Sequence, residues 1–404
     1  MSVGILKGLK ILDFSTLLPG PFATMMLADM GADVVKVESP SREDFVKYFG
    51  PMDGEVSAAF GHLNRSKRSI ALDLKLGESK EIVFRLIKEY DIVVEQFRPG
   101  VMDKLGIGYD VLKEINPKVI FCSVTGYGQT GPLKNQAGHD INYLSLAGVS
   151  SYSFRKDQAP VPAGVQVADI AGGSMPAVIG ILAAAYNREK TGEGQSIDIS
   201  LTDVSFSLNA MYGSGYLVGG VEPEAESLLL NGGSFYDYYE TKDHRYFSVG
   251  SLEPQFQEML CELIGDKGLV KLSSSQRKED QQKFKEKLIK TFKQKTFDEW
   301  ITILEKGFNG CVEPVLNFSE AVNHPQIKAR DMVVSVPNEQ GGTQSQIAFP
   351  IKFSTKQPAY NFVGVQTGKH SEAILEEIGF DEKEIQQFTE KGVFGKEKVD
   401  TLNI

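Results

Sequence analysis

Along the first third of the chain the apolar positions fall into two kinds of run. Short, nearly continuous apolar stretches read as strands, and longer stretches with apolar residues three and four apart read as helices. Lys10–Phe14, Asp33–Glu38, Ser69–Leu74, Ile92–Glu95 and Lys118–Val124 are of the first kind. Pro21–Met30, with Gly31 as its C-cap, and Ser79–Glu89 are of the second. Ser39-Pro40 stops the second strand. Strands and helices alternating at this spacing predict βαβ units, hence an α/β lobe with a mostly parallel sheet and helices on both faces.

Between Glu43 and Asn64 the pattern lapses into a surface excursion marked by Gly50-Pro51 and Asp53-Gly54. Met175–Asn187 is a strongly apolar helix, and Val204–Val218 reads as another. After Gly219-Gly220 the character changes. Tyr236–Tyr239 and Tyr246–Val249 read as antiparallel strands joined by the turn Lys242-Asp243-His244, and Gln276–Lys306 is a charged helical block. The tail, Ser371–Lys391, is helical with a break at Gly379. The expected organisation is a large lobe over 1–200, a linker helix over 201–224, a smaller α+β lobe over 225–332 and a C-terminal segment over 333–404. A chain of 404 residues also exceeds the size at which one core stops growing, which favours two lobes.

A net charge of −10 disfavours a nucleic-acid binder. Local basic clusters can still take an anionic ligand. No run reaches the roughly 18 apolar residues of a transmembrane helix, and the start of the chain carries no signal-peptide pattern. No membrane partner and a cytoplasmic location are therefore expected. Cys122, Cys261 and Cys311 are scattered, with neither metal spacing nor a disulfide framework. No metal and no separate cofactor is expected.

The chain has no G-x-x-x-x-G-K-[ST] loop and no G-x-G-x-x-G after its first strand. Basic residues gather at strand edges: Arg65, Lys67 and Arg68, then Lys75, then Arg98 and Lys104. They form either a solvated rim or a phosphate patch at the ends of parallel strands, where open α/β sheets bind ligands. Gly138-His139-Asp140-Ile141-Asn142-Tyr143 places an imidazole, a carboxylate, an amide and a phenol within six residues. Asp169 precedes Gly172-Gly173-Ser174 and the apolar helix. Alone, Asp169 reads equally as a helix-capping acid and His139 as a structural histidine.

These blocks, taken in order, resemble the α-methylacyl-CoA racemases of the family III CoA-transferase superfamily. The resemblance runs from Leu18-Pro19-Gly20-Pro21-Phe22 through Gly31–Glu38, Asn64–Ser69, Phe97–Met102, Gly138–Tyr143, Asp169 with its Gly-Gly-Ser, and Gly250–Phe256, to Ile374–Phe380. It implies His139 and Asp169 as the two proton-transfer residues, with Asp140 and Glu253 supporting the histidine side. It also implies coenzyme A contacts from Lys36, from Leu72, Asp73, Leu74 and Lys75, from Gln96, Phe97 and Arg98, from Lys104, and from Gly138 and Tyr143. Coenzyme A is then part of the substrate rather than a cofactor. The implied fold is a Rossmann-like large lobe with a smaller α+β lobe, in a homodimer of interlocked rings. Positions 36 and 104 carry Lys where relatives often carry Arg, and the insert at 43–63 is longer than usual, which bears on the entrance to the acyl site.

Inverting a stereocentre next to a carbonyl needs one group on each face, one ionised and one protonated. His and Asp suit this when their surroundings tune them. The backbone N–H groups at the start of the Asp169–Ser174 segment are candidates for stabilising the thioester enolate. The rival reading is a CoA-transferase in which Asp169 is a nucleophile forming an acyl anhydride. His139, 30 positions before Asp169, is the feature that favours the racemase. A catalytically silent CoA-binding protein is the third possibility.

Overall fold

A computed structural model of the chain describes residues 4–395. The chain divides into two compact units. One comprises Met1–Leu146, Gly164–Ser207 and Gln326–Ile404, and the other Ala147–Ala163 and Leu208–Pro325.

The main sheet of the first unit has six strands: β1 (Lys10–Asp13), β2 (Asp33–Glu38), β3 (Lys67–Ala71), β4 (Ile92–Glu95), β5 (Ile120–Thr125) and β6 (Ser196–Ser200). They lie in the order β3-β2-β1-β4-β5-β6, every pair parallel. The chain thus runs outward from β1 to β3, returns to β4 on the other side of β1, and runs outward again. The order reverses between β1 and β4, and the carboxyl edge of the sheet at such a switch point is where open α/β sheets bind ligands.

The connections include helices α1 (Pro19–Asp29), α2 (Gly77–Glu89), α3 (Val101–Lys104), α4 (Tyr109–Ile115), α5 (Asp140–Leu146) and α6 (Met175–Thr191), with α7 (Leu201–Ser207) after β6. Leu12, Val35, Ile70, Val93 and Phe121 of the strands pack with Ile82, Val83 and Leu86 of α2 and Leu112 of α4. Ile11, Val34, Val94 and Cys122, of opposite parity, are equally buried. Strands covered on both faces have no polar side to show, which is why they read as unbroken apolar runs. Tail helices α12 (Ser371–Glu377) and α13 (Glu382–Glu390) contribute Ile374, Leu375 and Phe388 to the same core.

The structure departs from the sequence reading in several places. Helix α1 starts two residues early, with Pro at its first turn, where a missing N–H costs nothing. Strand β6 was not anticipated, because Ser196 and Asp198 are exposed on this outer strand and break the apolar run. The expected helix over Val204–Val218 is two pieces, α7 and α8 (Tyr212–Gly219). The stretch before α6 is π-helical over Ala168–Ser174, and the combined helix Ala168–Thr191 is 24 residues long and apolar enough to cross a membrane by length and composition. Half of its most apolar window is buried inside the protein.

In the second unit, β7 (Asp237–Glu240), β8 (Tyr246–Val249) and β9 (Val312–Pro314) form an antiparallel sheet with β8 in the middle. Helices α9 (Pro254–Leu263), α10 (Lys278–Phe292) and α11 (Phe297–Leu304) share a core with it that includes Phe247, Phe284, Phe292 and Trp300. The charged helical block comprises α10 and α11, separated where Thr296 and Glu299 make a capping box.

Of the basic residues read as either a solvated rim or a phosphate patch, Arg65 and Lys67 serve the first unit's interior, and Arg68 is held in ion pairs nearer its surface. Arg65 is fully buried and grips Asp29 with two bonds of 2.9 and 2.6 Å, while also donating to Gln346 Oε1 and the Ile347 carbonyl. It therefore ties the end of α1 to the hairpin of β10 (Val333–Pro337) and β11 (Thr343–Ile347). Lys67 is buried and donates to Asp13, to the Pro21 carbonyl and to Asn64. Arg68 is paired with Asp33 and Glu377. Replacing Arg65 by Met should strand the Asp29 charge and cost about 3–5 kcal/mol of stability. Urea unfolding followed by far-ultraviolet circular dichroism measures it. An unchanged midpoint would contradict the structural role assigned to Arg65.

Candidate active site

The site is assembled from segments at the carboxyl edge of the first unit's sheet. After β5 the chain passes through Gly126 and an exposed loop to Gly138. Tyr143, on α5, is the peg that shapes this path. Its ring is buried and its hydroxyl donates to the Gly138 carbonyl. A Cβ on Gly126 would lie 2.4 Å from the Tyr143 ring, and one on Gly138 2.7 Å from it. Both glycines are thus required by close approach to one aromatic side chain. Tyr143 and Gly138, expected as coenzyme A contacts, are in the structure bonded to each other.

His139 follows. Its carbonyl accepts the N–H groups of Asn142 and Tyr143, and its own N–H donates to Asn142 Oδ1 at 3.0 Å. The backbone at His139 is therefore fixed by the first turn of α5, and its imidazole is exposed. Asp140 Oδ1 accepts the N–H of Asp169 at 3.0 Å. Asp140 was expected to support the histidine. Its bond runs to the backbone of the second expected proton-transfer residue instead, and it joins the two segments.

Asp169 lies in the π-helical turn leading into α6. Gly172 and Gly173 let this turn approach its neighbours: a Cβ on Gly173 would sit 3.0 Å from Pro19 Cβ, and one on Gly172 3.2 Å from the Leu201 carbonyl. The Ser174 hydroxyl donates to the Pro19 carbonyl at 2.7 Å, with the Asp169 carbonyl 3.1 Å away. Burial pushes the Asp169 carboxyl up to about 6, and the like charge of Asp140 adds to the shift. Of the N–H groups considered for enolate stabilisation, those of Asp169 and Ile170 are taken, by Asp140 and by the Gln166 carbonyl.

The loops that leave β1 and β4 at the switch point adjoin this turn. Gln96 Oε1 accepts the Gly20 N–H at 3.0 Å, and a Cβ on Gly20 would collide with Ser15 at 2.2 Å. Gln96, Gly20, Pro19, Ser174 and Asp169 thus form an unbroken line of contacts from the loop after β4 to the acid.

The other expected ligand contacts divide. Lys75, Arg98 and Lys104 are exposed, and Phe97 and Leu74 are partly buried against the core. Asp73 is held by its N–H to the Val393 carbonyl and caps the Lys75 N–H. Leu72 is buried. Lys36 lies inside the sheet. It is 1% exposed and its ammonium donates to the Ser15 carbonyl at 2.7 Å, beside Asp13, because it sits mid-strand in a sheet covered on both faces. Glu253 belongs to the second unit, exposed at the N-cap of α9, where its charge helps burial raise the Cys311 thiol. Reading the sequence passed over Glu95, a buried carboxylate that closes the apolar strand β4.

The model of CoA-transferase family III matches residues 6–371. The chain is 36% identical over 400 residues to an alpha-methylacyl-CoA racemase of Homo sapiens, covering 98% of each protein. It is 35% identical over 407 residues to an acyl-CoA transferase of Fusarium pseudograminearum, covering 97% of this chain and 89% of that protein. Among solved structures, a CaiB/BaiF family protein from Brucella suis is similar with a TM-score of 0.80 and 31% identity, over 94% of this chain and all of that one.

Removing the like charge in Asp140→Asn should move the Asp169 titration down from about 6 toward the ordinary carboxylate range. Burial keeps it from arriving there. Carboxyl carbon shifts followed by NMR against pH measure it. A titration that stays in place would show that Asp140 does not act on Asp169.

Proposed function

The chain belongs to CoA-transferase family III, and from that premise we propose that it inverts the α-carbon of 2-methylacyl-CoA thioesters by two-base proton transfer. The observation that carries this reading is the Asp140 clamp, which joins an exposed imidazole's segment to a carboxyl raised to about 6. A carboxyl with that value exchanges protons readily near neutral pH, as a general acid–base catalyst must.

His139, as neutral imidazole, removes the α-proton from one face. The electron pair of the broken C–H bond moves onto the thioester carbonyl and gives an enolate. Asp169, protonated, returns a proton to the opposite face, and the enolate collapses to the inverted thioester. For the other enantiomer the roles exchange, with Asp169 as base and imidazolium as acid. Burial of Asp169 serves this exchange, because it keeps a protonated fraction available that an exposed carboxylate would lack. Glu253 is proposed to support the histidine side of the reaction. Lys75, Arg98 and Lys104 are proposed to bind the anionic part of coenzyme A. The chain is proposed to act as a homodimer, a reading supported by an exposed apolar stripe on α6 formed by Met175, Ile179 and Tyr186.

A family III CoA-transferase uses the acid without needing the imidazole, and the single variants separate the two reactions. His139→Ala and Asp169→Ala should each lose racemisation by about 10²–10⁴-fold. In D2O, each should keep slow wash-out, with retention, of only the enantiomer that its surviving base faces. NMR of matched R and S thioesters measures this. Near-normal racemisation in His139→Ala, or CoA transfer lost only in Asp169→Ala, would sink the two-base assignment.

Replacing Arg98 or Lys75 with Ala should raise KM more than it lowers kcat, since the phosphates lie far from the reacting carbon. The penalty should shrink at high salt. Unchanged KM in both variants would count against this placement.

A further inference from the structure

Glu95 is the last residue of β4, one of the two strands between which the sheet order reverses. It is 4% exposed. Its Oε2 accepts the Phe97 N–H at 2.8 Å, across the turn by which the chain leaves the sheet. Ser123, its register partner on β5, hydrogen-bonds the same carboxylate. The turn so fixed carries Gln96, whose amide oxygen holds the Gly20 N–H, and the exposed Arg98. We propose that Glu95 is a positioning residue for coenzyme A, which sets the turn that presents Gln96, Phe97 and Arg98 to the ligand.

The electrostatic surroundings argue that stability alone does not account for a carboxylate here. The charged groups facing it are Asp103, from α3, and Asp198, from β6, both of like sign, with the Cys122 thiol of β5 beside them. A buried acid without a cationic partner weakens the fold. Burial first, then those two acids, hold its carboxyl up to about 7, against the pull of Ser123 and the Phe97 N–H. The ionised form binds that N–H more strongly than the neutral acid does, since hydrogen bonds to charged groups are the stronger ones. The turn is therefore held tightly above neutrality and loosely below it.

Glu95→Gln keeps the shape and the acceptor oxygen but cannot ionise, so it imitates the protonated enzyme. Rested on the coenzyme A reading above, the proposal predicts a ratio of variant to wild-type KM near one below pH of about 6, rising to about five-fold above pH of about 8. Using the ratio removes the titration of the substrate's own phosphate. The loss falls on KM rather than kcat. Stability moves the other way. A folded-state acid with a raised pKa loses stability as pH rises from the ordinary glutamate value through about 7. Glu95→Gln should therefore melt higher than wild type at alkaline pH while binding substrate less well, whereas a merely structural residue would lose both together. A ratio flat across pH, or a loss carried by kcat, overturns the proposal. If the variant does not fold, wild-type KM for the 3′-dephospho thioester decides. A rise of about five-fold on acidification through 7 supports the proposal, and a flat profile overturns it. Should the wild type exchange no α-proton at all, the racemase reading falls separately, and calorimetric Kd for a CoA thioether gives the same ratio.

Discussion

One hydrogen bond, from the Asp169 N–H to the Asp140 carboxylate, holds together the two segments on which the proposed chemistry depends. Each segment is rigid for its own reason. The histidine side is pinned by Tyr143, wedged between two glycines, and by the first turn of α5. The acid side is pinned by Ser174 and by glycines that allow a π-helical turn to press against Pro19 and Leu201. Asp140 also contributes a like charge that, after burial, keeps the Asp169 carboxyl near 6. Asp140 therefore acts on both the placement of Asp169 and, second to burial, its proton affinity.

The first unit's basic residues sort by depth, not by sequence neighbourhood. Arg65 and Lys67 are spent on buried carboxylates, and Lys36 on a backbone carbonyl. Burial lifts the Asp13 carboxyl, but Lys67 and Lys36 overcome it and hold the group well below the usual range. Such pairs constrain where α1 and its leading loop sit, since breaking one leaves an uncompensated charge inside. Lys75, Arg98 and Lys104, on turns and a short helix, stay on the surface where an anion can meet them.

Much of the sheet was legible because its central strands are buried on both faces. Asp33–Glu38 and Ile92–Glu95 were read to the residue. The same fact made the position of Lys36 legible, since a lysine inside such a strand has no exposed face to use, and that signal went unread. Strand β6 was missed because an outer strand with exposed Ser196 and Asp198 has no continuous apolar run. The π-helical turn was missed because nothing in apolar spacing distinguishes five-residue bonding from four over a single turn. That His139, Asp140 and Asp169 belong together was suggested by the family resemblance, not by their spacing. That Asp140 reaches the backbone of Asp169 was not legible, because the bond joins residues 29 positions apart.

The most direct test of the two-base account is the isotopic make-up of each enantiomer at early conversion of a single 2-methylacyl-CoA enantiomer in D2O. Two groups on opposite faces deliver a solvent-derived deuteron with every inversion, and the acid on the far face traps the enolate faster than the base returns a deuteron to the face it emptied. The account predicts that the inverted product carries deuterium at its α-carbon while the remaining substrate carries almost none. Equal labelling of both enantiomers, or no label in either while CoA passes to an added acid, would contradict it.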